Sequence, residues 1–222
     1  MNKEWIWRRL NSLGYGVQSP NDFFFVQNVL HEKSPYYGYE CLDHISQRSG
    51  ACLTCYSVAI NKLLFRIANH VHPDVIVEVG AGTSIFAMAR ACLSARCVAI
   101  TSLDSRGIVS QDLLAEYPQV EVKNGDELGT FLKILREIDS IGILHIAHTA
   151  HYQEVVNAAL SKANDRALFI IEGIRDNKEK CDWWKTLQQS DLTGISYDLG
   201  SLGLLFFDRS RHKETYWINF KD

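Results

Sequence analysis

The chain has 222 residues and a mass of 25.2 kDa, which is enough for one α/β domain with a substantial core and too little for two full-sized catalytic domains. With 46% hydrophobic and 22% charged residues and only 4 prolines, the composition excludes a disordered or collagen-like chain. A formal net charge of −3 gives no general attraction to nucleic acid or anionic lipid, so we expect neither as a partner.

The first residues, Met1–Leu10, carry charges and tryptophans where a signal peptide would have an apolar run. No stretch approaches the roughly 18 consecutive apolar residues of a membrane span. The 6 cysteines are dispersed through a chain that is large enough to fold without staples, which fits reduced thiols. We therefore expect a soluble, cytoplasmic protein without disulfide bonds and without a membrane partner.

Residues 1–56 are rich in aromatic and turn-forming residues, and we interpret them as an N-terminal extension to the main domain. Ligands of open α/β sheets bind at the carboxyl edge of the strands. We expect the extension to form a lid over that edge, with Tyr15, Tyr36, Tyr37 and Tyr39 facing a substrate. The alternative is that these rings pack against the outer helices and only stabilise the domain.

Residues 57–222 show the alternation of short β-branched runs with helical stretches that is typical of a parallel sheet covered by helices on both faces. The predicted strands are Asp74–Val79, Arg96–Thr101, Val120–Lys123, Ile141–Ile146 and Ala167–Ile171, and the predicted helices are Ser57–Val71, Thr83–Leu93, Ser110–Tyr117, Leu128–Ile138, Tyr152–Ala163 and Lys178–Gln189. Two last strands, Gly194–Leu199 and Leu202–Asp208, are close enough in sequence to predict an antiparallel hairpin. The pattern predicts a Rossmann-like, doubly wound, mostly parallel sheet of seven strands.

The segment Val75–Ser84 is a buried-looking strand that runs into two glycines, Gly80 and Gly82, and then into a helix. Such a turn allows the backbone to approach a ligand closely. Ile85 stands where a dinucleotide fingerprint needs a third small residue, and no Gly-Lys-Ser/Thr follows, so a P-loop is excluded. Glu78, at the strand end, suits a ligand with a positively charged amine and is poorly suited to phosphate.

The sequence Glu78-Val-Gly80-Ala-Gly82 matches the first motif of the class I S-adenosylmethionine-dependent methyltransferases, which is an acidic residue, any residue, Gly, any residue and Gly. The order of elements from Ser57 to Phe207, with its reversed final hairpin, is also similar to this family. The segment Gly14–Pro20, which reads GYGVQSP, resembles the N-terminus of a group of methyltransferases related to the small-molecule O-methyltransferases. The resemblance implies S-adenosylmethionine as cofactor and a small-molecule methyl acceptor.

Carried over residue by residue, the resemblance places Gly80, Ala81 and Gly82 beneath the methionine part of the cofactor. Glu78 is then expected near the amine of that part, directly or through water. These positions are the turn after the first strand of the domain.

The resemblance also covers the adenosine part, with one departure. The family's acidic residue at the end of the second strand, which holds both ribose hydroxyls, is replaced by Thr101, and Asp104 follows three residues later as a further candidate. A threonine makes at most one good bond where a carboxylate accepts two. Asp126, in a Gly-Asp turn after the third strand, is expected to accept from the adenine amino group.

Related O-methyltransferases that use a divalent metal have an aspartate just beyond the fourth strand, and this chain has Ala147 at that position. After the fifth strand those enzymes commonly have paired acidic residues, whereas this chain has only Glu172, which we assign to the acceptor side. A hard cation needs several oxygen ligands. We therefore expect no metal.

Three histidines, His145, His148 and His151, recur every three residues at the end of the fourth predicted strand. The alternatives are a packed and hydrogen-bonded side chain, an acceptor-site base or a transition-metal ligand. A histidine within a strand is most often packed, and the spacing is not that of a helical zinc site. If one of them acts as a base, His148 and His151 are favoured because they follow the strand.

These patterns together predict methyl transfer from S-adenosylmethionine to an O or N atom of a small molecule. A sulfonium donor is already activated, so the enzyme mainly aligns the reactants and excludes water, and it needs a base only for a poorly ionised acceptor. Thr101 and Ala147 favour the alternative of a catalytically degenerate protein that keeps the fold for binding or interaction. A nicotinamide-dependent oxidoreductase is a third alternative. The acceptor and the oligomeric state are not readable from the sequence.

Overall fold

The computed structural model describes residues 3–42, 58–80, 84–102 and 111–220, in which one sheet carries helices on both faces. The strands are β1 (Val75–Val79), β2 (Arg96–Thr101), β3 (Val120–Asn124), β4 (Ile141–Ile146), β5 (Ala163–Glu172), β6 (Ser196–Asp198), β7 (Leu202–Phe206) and β8 (Thr215–Trp217). The helices are α1 (Lys3–Ser12), α2 (Pro20–Phe25), α3 (Val58–Val71), α4 (Ser84–Ala91), α5 (Gln111–Glu116), α6 (Glu127–Glu137), α7 (Tyr152–Ala159) and α8 (Lys178–Gln189). A π-helical turn, Val26–Leu30, follows α2, and a 3-10 turn, Leu160–Lys162, follows α7.

The strand order across the sheet is β3-β2-β1-β4-β5-β7-β6-β8. Strands β1 to β5 are parallel, whereas β7 runs antiparallel to its neighbours β5 and β6. The predicted Rossmann-like, mostly parallel sheet with an antiparallel final hairpin is confirmed, and the described segments contain eight strands rather than seven. The additional strand β8 pairs in parallel with β6 and has only 3 residues, too few for a recognisable alternation in the sequence.

Side chains that alternate along the strands divide the core into two layers. Ile76, Ile143 and Ile170 face the layer that contains the apolar residues of α3 and α4, and Val77 and Leu144 face the layer beneath α6, α7 and α8. This alternation decides which face of the sheet each polar strand residue occupies.

The predicted boundary between the helix Tyr152–Ala163 and the fifth strand is shifted in the structure. β5 begins at Ala163, because Ala163 pairs with Ile141 across a register irregularity between Ile141 and Ile143. The residues that the periodicity assigned to the end of the helix Tyr152–Ala163 therefore form the 3-10 turn and the first strand residue.

The N-terminal extension is joined to the α/β domain by buried polar contacts. The guanidinium of Arg66 in α3 donates from Nε to the carbonyl of Val29 at 2.6 Å and from Nη2 to the carbonyl of Leu30 at 3.2 Å. Asp22, which is buried, accepts from the hydroxyl of Tyr197 in β6 at 2.6 Å and from Arg211. The predicted domain boundary at residue 56 lies outside the described residues.

None of the helices that the structure describes is long and apolar enough to cross a membrane. Cys41, Cys92, Cys97 and Cys181 are free thiols, and Cys52 and Cys55 lie in the part of the chain that is not described.

Candidate functional site

The carboxyl ends of the parallel strands meet at one edge of the sheet, where open α/β folds bind their ligands. The candidate site residues at this edge are Glu78 from β1, Gly80 directly after β1, Thr101 from β2, Asp126 after β3, His148 after β4 and Glu172 from β5. Three other predicted cofactor residues, Ala81, Gly82 and Asp104, lie outside the described segments.

Three buried ionisable side chains form a continuous array at this edge, which we call the Glu–His–Glu array: Glu78, His145 and Glu172. Glu78 and His145 occupy paired positions of β1 and β4, and Glu172 lies two residues beyond Ile170, the partner of His145 in β5. Nδ1 of His145 lies 2.8 Å from Oε2 of Glu78, and Nε2 lies 2.7 Å from Oε1 of Glu172. The imidazole therefore links the ends of β1 and β5.

The proton count of the array follows from its hydrogen bonds. An ionised carboxylate can only accept, so a proton must lie on each of the two nitrogen–oxygen contacts of His145. With both protons on the ring, the array is an imidazolium between two carboxylates and has a net charge of −1. Burial lowers the pKa of His145, but the hydrogen bonds and charges of Glu172 and Glu78 outweigh it and raise the pKa to about 10.

Glu78 has a further partner, because the hydroxyl of Ser84, the first residue of α4, donates to its Oε2 atom. The same hydroxyl lies 3.4 Å from Nδ1 of His145. The side chain of Glu78 is fully buried. The carboxylate of Glu78 is thus held by the protein's own side chains, and its approach to a ligand amine, directly or through water, stays a prediction.

Gly80, directly after β1, has a left-handed conformation, with φ of +82°. A Cβ atom at this position would lie 2.8 Å from the carbonyl carbon of His148 and 2.9 Å from its oxygen. The glycine is thus required by the close approach of the loop after β4, in addition to its backbone angle. The close backbone approach that the sequence predicts is made here to the protein's own chain.

The two histidines considered as bases have different surroundings. His148 is 59% exposed, and its Nε2 atom lies 3.8 Å from Oε2 of Glu172. His151 is exposed at the start of α7, and its backbone amide donates to Oγ1 of Thr149 at 3.1 Å. Of these two, His148 is the one that an ion-pair contact joins to the Glu–His–Glu array.

Thr101, at the end of β2, is engaged with the neighbouring strand. Its hydroxyl donates to Oδ1 of Asn124 at 2.9 Å, and Asn124 is the register partner of Thr101 in β3. Asn124 was not singled out from the sequence, and the signal that could have found it is a polar residue at the end of the adjacent strand. The two side chains form a neutral hydrogen-bonded pair at the position that the sequence resemblance assigns to the ribose.

Asp126 caps helix α6, and its Oδ2 atom accepts from the amide of Gly129 at 3.0 Å. The residue is exposed. One carboxylate oxygen therefore has a structural role that the sequence resemblance did not include.

The four tyrosines of the N-terminal extension have two kinds of surroundings. Tyr36 and Tyr39 pack against Phe65 of α3, with ring centroids 5.6 and 5.7 Å away, which are the contacts that the packing alternative expects. Tyr15 is 65% exposed and Tyr37 is 99% exposed. A substrate contact of any of them stays a prediction.

The residue directly after β4 is Ala147, which has no carboxylate. It is buried, and its amide donates to the carbonyl of Val79 at 2.9 Å. Among the residues that the structure describes, no group of three or more His, Cys, Asp or Glu side chains could hold a metal ion.

A separate cavity of about 620 Å³ lies between α8 and the β6–β8 side of the sheet. Its walls include Trp7, Trp217 and Arg175. Asp198, which also lines it, pairs with Arg8 at 2.7 Å and with Arg175 at 2.8 Å. The cavity shares no residue with the Glu–His–Glu array, and we assign no ligand to it.

The strand order, with β7 antiparallel between β5 and β6, defines a Rossmann-like fold of the kind found in methyltransferases. No protein-family model and no curated protein sequence matches the chain. Solved structures do match it over about nine tenths of its length, and they include O-methyltransferases.

Three of these structures illustrate the similarity. The methyltransferase PaMTH1 from Podospora anserina, bound to S-adenosylhomocysteine (SAH), matches with a TM-score of 0.64 and 10% identity over 86% of this chain and 96% of that chain. An O-methyltransferase from Bacillus cereus in complex with SAH has a TM-score of 0.61 and 14% identity over 91% and 99% of the two chains. The O-methyltransferase TomG from Streptomyces achromogenes, involved in tomaymycin synthesis and solved with S-adenosylmethionine (SAM), has a TM-score of 0.59 and 17% identity over 93% and 99%. At these identities the comparison establishes the fold.

Proposed function

We propose that this protein binds SAM at the carboxyl edge of the sheet and transfers its methyl group to an O or N atom of a small molecule. The observation that carries the proposal is the Glu–His–Glu array, which places a net charge of −1 at the edge where this fold binds ligands. SAM has an ammonium, a sulfonium and a carboxylate, so its net charge is positive and complements the array. The structural neighbours solved with SAM or SAH support the same ligand.

The residues at the edge have hydrogen-bonding groups that suit the ribose and adenine of SAM. The hydroxyl of Thr101 and the amide of Asn124 can hydrogen-bond ribose hydroxyls, with fewer acceptor sites than a carboxylate would offer. The carboxylate of Asp126 is exposed and can accept from an adenine amino group while it caps α6. Ala81, Gly82 and Asp104 complete the proposed cofactor site in the segments that are not described.

The chemistry that SAM supplies is an activated methyl group, so the protein has to bind, align and exclude water. For an acceptor that must lose a proton, His148 is the proposed base, because its side chain is exposed to solvent and faces Glu172. His151 is the second candidate from the same loop. On the acceptor side we propose Glu172 and the four tyrosines of the extension, of which Tyr15 and Tyr37 are exposed and Tyr36 and Tyr39 contact each other.

The proposal is tested by thermal unfolding of the full chain with SAM, SAH and NAD. A ligand that binds only the folded state stabilises it by about 2.7 kcal/mol at 100 times its dissociation constant. SAM and SAH are expected to raise the unfolding temperature and NAD to leave it unchanged. Stabilisation by NAD alone, or by none of the three, would contradict the proposal.

A second candidate function is a non-catalytic binding protein with the same fold, and the burial of Glu78 between His145 and Ser84 favours it. Incubation with methyl-labelled SAM and a small-molecule extract separates the two. Labelled product supports transfer, and SAH binding without labelled product supports the binding protein. Because Ala147 supplies no carboxylate, we expect any transfer to persist in excess EDTA.

A further inference from the structure

We propose that the Glu–His–Glu array is a charge selector, in which His145 is a positioning residue that holds two carboxylates at the carboxyl edge so that a sulfonium ligand binds more tightly than the corresponding sulfide. This inference rests on the proposed function and adds to it a reason for preferring the methyl donor over its product.

The geometry makes the three side chains one unit. His145 uses both ring nitrogens, at 2.8 Å to Glu78 and 2.7 Å to Glu172, and the three residues come from three adjacent parallel strands. The strand register fixes the three backbone positions, so the ring cannot rotate without losing a hydrogen bond to a buried carboxylate. A change at either carboxylate therefore acts on the whole array.

Among the residues that the structure describes, charged and titratable groups near the array come from β2, from α8 and from the loop after β4. His148 faces Glu172 at 3.8 Å from the loop after β4, and the thiol of Cys97 in β2 is near Glu78, where burial raises its pKa to about 12. Lys180 of α8 is attracted to Asp176 and to Glu172. The positive charge of Lys180 is thus shared between Asp176 and Glu172 and does not act on the array alone.

Methyl transfer changes the charge of the ligand next to this array. The acceptor lone pair forms the bond to the methyl carbon, the bonding pair stays on sulfur, and the acceptor proton passes to His148 and then to solvent. The donor is a sulfonium cation and the product is a neutral sulfide. An array with a charge of −1 attracts the donor more strongly than the product, which favours product release.

The test compares the dissociation constants of SAM and SAH for the full chain by isothermal titration calorimetry. Glu172→Gln changes the array charge from −1 to 0 while the amide oxygen still accepts from His145. We expect the ratio of the SAH constant to the SAM constant to fall about tenfold in this variant. Glu154→Gln, which neutralises an exposed carboxylate in α7, is the matched control and should leave the ratio unchanged.

A second variant and a second readout keep the inference open to refutation if Glu172→Gln does not fold. Glu78→Gln removes the other charge and should lower the ratio in the same direction. Nitrogen-15 NMR of the wild-type histidines should show both nitrogens of His145 bonded to hydrogen at pH 8, with no ligand present.

The outcomes distinguish this inference from the proposed function. Binding of both ligands with an unchanged ratio in the variants would refute only the charge selector. A His145 ring with an unprotonated nitrogen at pH 8 would refute the array itself. Failure of both ligands to bind the wild type would refute the proposed function, and the charge selector with it.

Discussion

The backbone of Gly80 packs against the backbone of His148 at the point where β1 and β4 end. A Cβ atom added to Gly80 would lie only 2.8 Å from the carbonyl carbon of His148. This contact ties the turn that follows the first strand of the domain to the loop that carries the proposed base. The left-handed backbone of Gly80 and the lack of a side chain are both needed for it.

Replacement of Gly80 by alanine should therefore destabilise the protein by more than the cost of a left-handed backbone conformation alone. Gly200 is the matched control, since its φ is +99° and a Cβ there would have no neighbour within 4 Å. We expect Gly200→Ala to cost about 1 kcal/mol of unfolding free energy for the left-handed conformation, and Gly80→Ala to cost about 2 kcal/mol more. Urea unfolding measures both variants, and equal losses would contradict a close contact with His148.

The stability of the protein should decrease as the pH rises from 6.5 to 10. The folded-state pKa of His145 is raised from 6.5 to about 10, so the stabilisation is fully present below pH 6.5 and is lost as the pH rises through 10. One proton that is held only by the folded state gives a slope of about −1.4 kcal/mol per pH unit.

Urea unfolding at several pH values in this range tests the slope, with Glu172→Gln as the comparison. The variant lacks one of the two carboxylates that raise the pKa of His145, so its unfolding free energy should depend less on pH. Titration of Cys92 and Cys97 affects both proteins and cancels in the difference. Parallel curves would show that His145 does not hold the proton.

Asp22 should contribute strongly to the attachment of the N-terminal extension. Its buried carboxylate accepts from Tyr197 at 2.6 Å and pairs with Arg211, so Asp22→Asn leaves a guanidinium and a hydroxyl with a weaker acceptor. We expect a loss of about 2 kcal/mol in unfolding free energy and faster limited proteolysis before residue 30.

The control for this variant is Asp182→Asn in α8, which removes an exposed pair with Lys185 and should change the unfolding free energy by less than about 0.5 kcal/mol. If the two substitutions had similar effects, the buried contacts of Asp22 would not be what holds the extension.

Thr101→Val should weaken the binding of SAH. The substitution is nearly isosteric, but it removes the hydroxyl that bonds Asn124 and that we propose for the ribose. We expect about a fivefold increase in the SAH dissociation constant and a loss of about 1 kcal/mol in unfolding free energy. Thr186→Val in α8, whose hydroxyl donates to the carbonyl of Asp182, serves as the control and should leave SAH affinity unchanged. Unaltered affinity in Thr101→Val would place the ribose elsewhere.

Local signals in the sequence were sufficient for the framework of this protein. The apolar runs that end at Val79 and Ile100 predict strands that the structure contains, because burial on both faces of a parallel strand requires a continuous apolar run. The short spacing of the last two runs likewise predicts their antiparallel pairing, since hairpin pairing is a local event. The glycine turn and the edge to which it belongs follow from the same pattern.

Only the tertiary structure decided what the polar residues of that edge do. Glu78 and His145 are 67 residues apart in the chain, and they meet because the crossovers place β4 directly beside β1. His145 was one of three equally spaced histidines, and its role depends on which carboxylates lie on the same face of the neighbouring strands. The attachment of Asp22 to Tyr197, 175 residues away, depends in the same way on where the extension packs. Residue spacing in the chain carries information about a single helix, strand or turn, whereas the strand order and register of the sheet determine which distant side chains share a buried position.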